Sequence, residues 1–125
     1  MATRQFAAVI PGRPIPAARA RVTRKGAYTP EPYASWLSAA IVEIRDAAVR
    51  QFGSVPRWTG PCSVTVLFYG ARANCDIDNL IKAVLDASQK AEVFVNDKQV
   101  MEITAERLSG EPQTTVYIKR LSEVK

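Results

Sequence analysis

The chain contains no histidine. That absence excludes Ser-His-Asp and Cys-His catalysis, histidine-ligated metal centres and HExxH zinc sites. Its two cysteines, Cys62 and Cys75, are too few for a disulfide framework or a four-ligand zinc site. A reduced, cytoplasmic chain is therefore the simpler reading, although two thiols could still form one disulfide. No apolar run approaches the roughly 18 residues that cross a bilayer. The start, Met1-Ala2-Thr3-Arg4-Gln5, leads into only a very short apolar run, so no secretory signal is expected. Acid–base or metal chemistry must then run on Asp, Glu, Lys, Tyr or water.

Acidic residues are also missing from the first part of the chain, where none precedes Glu31. That stretch holds Arg4, Arg13, Arg19, Arg21, Arg24 and Lys25, whereas the net charge of the whole is only +5. A basic arm on a nearly neutral body points to a polyanion, with nucleic acid ahead of a membrane surface. The plainer alternative is a solvated loop that aids solubility. With 125 residues, 47% of them apolar, the sequence suits one domain able to bury its own core.

Gln5–Ile10 reads as a strand. Residues 11–30 carry Pro11, Pro14, Pro16 and Pro30, which interrupt helix and ladder alike and predict an extended arm or loose hairpin. Thr29-Pro30-Glu31 has the pattern of a helix start, and the spacing predicts a helix over about 30–51 with Leu37, Ile41, Ile44 and Ala48 facing inward. Strand-like alternation follows in residues 62–69. Residues 77 to about 91 carry Ile77, Leu80, Ile81, Val84 and Leu85 at helical spacing. Two more strands, near 99–108 and 114–121, read as a hairpin. The order β-α-β-α-β-β predicts a single α+β domain of two layers, a mixed sheet under two main helices. Tyr28, Phe94, Trp36 and Trp58 are assigned to packing rather than to base stacking.

The chemistry concentrates in Asp76-Ile77-Asp78-Asn79-Leu80-Ile81-Lys82 and in Asp97 of Asn96-Asp97-Lys98-Gln99. Carboxylates two residues apart in extended backbone project to one side and can share an ion. At a helix start they also lie near the positive end of its dipole. Such hard oxygen ligands suit Mg²⁺, with Mn²⁺ as a substitute. Lys82 lies four residues after Asp78 and could stabilise charge on a scissile phosphate, and Asp97 could return as a third ligand. The same residues also read as a helix cap, an exposed Asp78–Lys82–Asp86 ladder and a turn. Spacing alone leaves both readings open.

At these residues the sequence resembles the RusA family of Holliday junction resolvases. The resemblance rests on Asp76-x-Asp78-Asn79-x-x-Lys82, Asp86-Ala87 and Asp97-x-Gln99, joined by Gly12-Arg13-Pro14-Ile15-Pro16, Arg19-Ala20-Arg21 and Tyr28-Thr29-Pro30, and it covers essentially the whole chain. It implies a homodimeric, Mg²⁺-dependent endodeoxyribonuclease that makes paired symmetric nicks in four-way DNA junctions during recombination and repair. It implies a catalytic set of Asp76, Asp78, Lys82 and Asp97, the three carboxylates binding the metal. Arg13, Arg19, Arg21, Arg24, Lys25 and Arg72 are the candidate DNA contacts. A cytoplasmic location in a bacterial cell, no membrane partner and no organic cofactor are expected; members of the family are common in phages and prophages, and the sequence leaves a phage or a bacterial origin open. Two departures stand out: Asn96 replaces one of the family's acidic pair, and Cys75 stands where a basic residue often precedes the first Asp. The competing readings are a catalytically weak or inactive junction binder and a broader flap or fork nuclease. A small RNA-binding protein is a weaker one.

Overall fold

Cys62, Val64, Val66 and Phe68 alternate with Ser63, Thr65, Leu67 and Tyr69, and a period of two places the first set on one face of a strand. The computed structural model describes residues 5–121 and places this strand inside a four-stranded mixed sheet. The elements are β1 (Gln5–Pro11), β2 (Arg21–Thr23), β3 (Gly26–Tyr28), α1 (Tyr33–Phe52), β4 (Cys62–Tyr69), α2 (Ile77–Lys90), β5 (Val100–Leu108) and β6 (Gln113–Arg120). The sheet order is β1-β6-β4-β5. Only β4 and β5 run parallel; β6 is antiparallel to both β1 and β4.

In-register residues Phe6, Ala8 and Ile10 of β1, Ile118 and Val116 of β6, and Val64, Val66 and Phe68 of β4 share the inner face. Ala40, Ile44 and Ala48 of α1 and Leu80, Ala83, Val84 and Ala87 of α2 close over it, all of them buried. This is the expected two-layer α+β domain. Trp36, Trp58 and Phe94 are buried as expected. Both cysteines are free thiols, and burial pushes the Cys62 thiol up against a smaller opposing pull from Arg120. Among the described residues no helix is long and apolar enough to cross a membrane.

Three expectations change. The last two strands do not form a hairpin, because β4 lies between β5 and β6. As the most regularly apolar strand, β4 takes an interior position with hydrogen bonds on both edges, whereas the largely exposed β5 goes to the rim. The connection from β5 to β6 crosses the end of β4 at Gly70 (φ +73), where a Cβ would meet Gly110 O and Pro112 Cα at 3.2 Å. The second change concerns α1, which starts at Tyr33 rather than near residue 30. Glu31 precedes a proline and is therefore steered away from helical backbone. Its carboxylate instead accepts from Ser35 N at 3.0 Å and Ser35 Oγ at 2.9 Å in the first turn of the helix. Third, Tyr28 does not pack inside; it is 49% exposed on the β2–β3 hairpin, a separate two-stranded sheet whose residues are all exposed.

Gln99 fixes the chain between α2 and β5. Its Nε2 donates to the carbonyls of Trp58 and Gly60, both at 2.8 Å. Its Oε1 accepts from Val95 N at 3.0 Å and Asn96 N at 2.8 Å. All four hydrogen-bonding positions of the amide are filled. Gln99→Glu replaces two donors with an acceptor facing two carbonyls, and is expected to lower unfolding free energy by about 2 kcal/mol in a urea titration. A change within the error of that titration would show that this amide does not hold the segment.

Candidate active site

The chain leaves β4 at Tyr69, passes Gly70, and turns at Arg72–Cys75, where Cys75 N donates to Arg72 O at 3.1 Å. It then enters α2 with Asp76 as the N-terminal flanking residue. From the facing edge strand, Arg107 forks onto this turn, donating through Nη2 to Arg72 O at 2.6 Å and through Nη1 to Cys75 O. One guanidinium thus grips the first and last residues of the turn that delivers Asp76. The sequence did carry a signal for it: Ile103, Ala105 and Arg107 share the helix-facing phase of β5, so an arginine stands at a position otherwise apolar.

The Asp76 carbonyl accepts the first helical hydrogen bond, from Leu80 N at 3.2 Å, yet its side chain makes no capping bond. Asp76 could have been a plain helix cap; the structure leaves its carboxylate unspent. Among the described residues, Asp78 Oδ1 accepts only from the adjacent Asn79 N, at 2.9 Å. Neither carboxylate is in a salt bridge among the described residues. Two unpaired carboxylates at a positive helix end fit a hard divalent cation, which takes one or two protein carboxylates and completes its shell with water and phosphate. Asn79 acts through its backbone, where its carbonyl accepts from Ala17 N at 2.9 Å.

Lys82 does not turn back to Asp78. Its Nζ lies 3.4 Å from Asp86 Oδ1, and the other Asp86 oxygen accepts from the Tyr33 hydroxyl at 2.8 Å. Burial raises the Tyr33 hydroxyl well above its usual pKa of 10.0, reinforced by the bond to Asp86 and by its charge, so this donor stays protonated. Sequence spacing did not reveal Tyr33, which reaches Asp86 across 53 positions.

Asp97 lies elsewhere. It opens a single 3-10 turn, Asp97–Gln99, and its N–H donates to Gln89 Oε1 at 3.1 Å, near the far end of α2. Asp78 and Gln89 are separated by about 16 Å of helix at 1.5 Å per residue. A magnesium ion holds its ligands at about 2 Å. Accordingly, among the described residues no three of the side chains able to bind metal gather at one point. Asp76 and Asp78 share an end of the helix, and Asp97 belongs to the opposite end. The neighbouring Asn96 serves the backbone. Its Oδ1 accepts from Lys98 N at 2.8 Å and, with Gln99, forms a capping box around the turn.

The basic arm begins beside Asp76. Pro14, Ile15 and Ala17 line a cleft of about 450 Å³ together with Arg72, Asn74 and Asp76. Beyond it Arg19 and the hairpin residues Arg21, Arg24 and Lys25 are exposed, as are Arg13 and Arg72. None of these six cations is in a salt bridge among the described residues; Arg4 lies outside them.

An enzyme that hydrolyses DNA phosphodiesters is the class to which such a basic arm rooted at free carboxylates corresponds. The chain belongs to the endodeoxyribonuclease RusA family, whose profile matches residues 11–119, from the root of the arm into β6. Asp76, Asp78, Lys82, Asp97 and the six cations all fall within the match. No curated protein matches the chain.

Two outcomes are expected here. Arg107→Ala frees the turn before Asp76, leaves the Cys75 carbonyl without its donor and the Arg72 carbonyl with Cys75 N alone, and should reduce DNA cleavage at least tenfold with a loss of about 1–2 kcal/mol in urea unfolding. Cleavage unchanged in this variant would remove Arg107 from the site. Asn96→Asp keeps the capping oxygen and should stay close to wild type in stability, whereas Asn96→Ala should lose about 1 kcal/mol. A gain in metal affinity for Asn96→Asp, read by calorimetry, would contradict the capping role.

Proposed function

We propose that the chain is a homodimeric, Mg²⁺-dependent resolvase that cuts Holliday junctions by paired symmetric nicks in recombination and repair. The observation carrying this reading is the root of a basic hairpin arm set against Asp76 at the start of α2, where neither Asp76 nor Asp78 is in a salt bridge among the described residues. Its setting is a bacterial cytoplasm, whether the gene is the bacterium's own or a phage's. The arm cations and Arg72 bind phosphates, which makes affinity fall with salt by about one unit of log–log slope per contact. Asp76 and Asp78 hold the cation. When bound, Mg²⁺ supplies Lewis-acid polarisation of the scissile phosphate. Lys82 places a positive charge against the phosphate oxygens as charge builds there. Mn²⁺ should substitute, because the ligands are all hard oxygens.

The distance along α2 gives the dimer a purpose. Asp97 cannot join Asp76 and Asp78 within one subunit, so a three-carboxylate site takes Asp97 of the partner subunit. Two-fold symmetry then creates two equivalent sites, one for each nick. A binder without catalysis is disfavoured because Asn96, the replaced acidic position, serves the turn rather than the cation.

Asp76→Asn and Asp78→Asn are each expected to abolish Mg²⁺-dependent cleavage of a synthetic four-way junction while junction binding in a gel-shift assay persists. Full cleavage in both would end the metal reading. Mixing Asp78→Asn subunits with Asp97→Asn subunits tests the sharing. A mixed dimer regains one intact site and should yield singly nicked junctions, although each parent is inactive. No activity after exchange would place all three carboxylates in one subunit. Rates on a flap or fork equal to that on the junction would favour the broader nuclease.

A further inference from the structure

We propose that Asp86, set by Tyr33, is a positioning residue that draws Lys82 off Asp78 and so keeps a metal-binding carboxylate free. The inference rests on the reading that Asp76 and Asp78 bind the cation. On α2 the order Asp78, Lys82, Asp86 offers the lysine a carboxylate one turn away in each direction. Intrinsic helix energetics favour the N-terminal partner, because an acid four residues before a base is the better-oriented pair. The structure shows the opposite choice, with Lys82 Nζ 3.4 Å from Asp86 Oδ1.

Tyr33 supplies the reason. Its hydroxyl, at 2.8 Å from Asp86 Oδ2, fixes the carboxylate from the α1 side, and the Tyr33 ring is itself buried against Trp36. One oxygen is thereby occupied and the other turned toward Lys82. Asp86 is also the more enclosed partner, with its side chain 28% exposed against 61% for Lys82. A pre-set, partly desolvated acceptor costs less ordering than a fully exposed pair and is less screened. Asp78, at the helix start and exposed, has neither advantage.

The consequence is a division of labour along one helix face. Without Asp86, Lys82 would close on Asp78, and a cation would have to displace an ammonium before binding. With Asp86 in place, Asp78 stays open at the helix start while Lys82 lies one turn further along. Family membership does not assign Asp86 or Tyr33 this role; the hydrogen bonds do.

Asp86→Asn is the informative variant, because the amide oxygen still accepts from Tyr33 while the charge that holds Lys82 is gone. Mn²⁺ binding to the DNA-free dimer, followed by titration calorimetry and paramagnetic resonance, should weaken about two- to fivefold, in line with the strength of one such pair. Tyr33→Phe should weaken it in the same direction and by less. In a Lys82→Met background Asp86→Asn should have no further effect on Mn²⁺ affinity, because no ammonium remains to compete. An equal loss with and without Lys82 would assign Asp86 a merely structural role and overturn the inference. Unchanged affinity in Asp86→Asn would overturn it as well. Wild type that binds no Mn²⁺ would instead refute the metal reading on which it stands, so the two failures are distinguishable.

Discussion

The parallel pairing of β4 with β5 governs the layout of this protein. Parallel neighbours cannot be joined by a tight turn, so the chain must return along the sheet before the second strand begins. Here α2 makes that return, running from the carboxyl end of β4 back to its amino end. Residues just before and within the first turn of α2 are therefore delivered to the carboxyl end of the strands, where open α/β sheets commonly place their ligands. Residues just after α2 are delivered to the other end. The separation of Asp76 and Asp78 from Asp97 follows from this topology and not from any side-chain preference.

Each end of that crossover is secured by one polar side chain that joins it to a part of the chain distant in sequence. At the carboxyl end Arg107 holds the turn before Asp76. At the amino end Gln99 ties the segment before β5 to the carbonyls of Trp58 and Gly60. Both use planar groups with several donors, and each bridges two backbone carbonyls with one side chain. The carboxylates are thus mounted on fixed backbone, whereas the cations of the β2–β3 hairpin stand on an exposed two-stranded ribbon. Precise placement suits the chemistry. Looser placement suits a phosphate backbone, whose charge is read without exact register.

Periodicity made much of this legible. The helical spacing of Leu80, Ile81 and Val84 gave α2 to within a residue of its observed end, and the alternation after Cys62 gave β4. Alternation tells which face a side chain takes but not which strand lies alongside, so the β5–β6 hairpin was a reasonable and incorrect expectation. Pro30 and Pro32 carried the information that delays α1, but the Thr29-Pro30-Glu31 pattern pointed the other way. Asp76, Asp78, Lys82 and the arm stood out as charges of the right kind in the right order. That Asp97 belongs to the far end of α2 depends on the topology, which spacing does not contain. Tyr33 was missed because its polar atom acts through a partner remote in sequence, while its ring reads simply as core.

Asn96 shows how a residue that departs from a family pattern can serve the backbone. As a lost ligand it would weaken a cation site by one charge. Its oxygen instead faces the Lys98 N–H, a duty that asparagine and aspartate perform about equally well at the start of a helical turn. The capping box then fixes the backbone that carries Asp97, together with the bond from Asp97 N to Gln89. What the turn requires at position 96 is an acceptor of the right length, not a charge. Selection on the turn alone would accept either residue, whereas selection on a fourth metal ligand would not. The replacement therefore separates the two demands, and it places residue 96 with Arg107 and Gln99, the groups that hold the carboxylates in position, rather than with the carboxylates themselves.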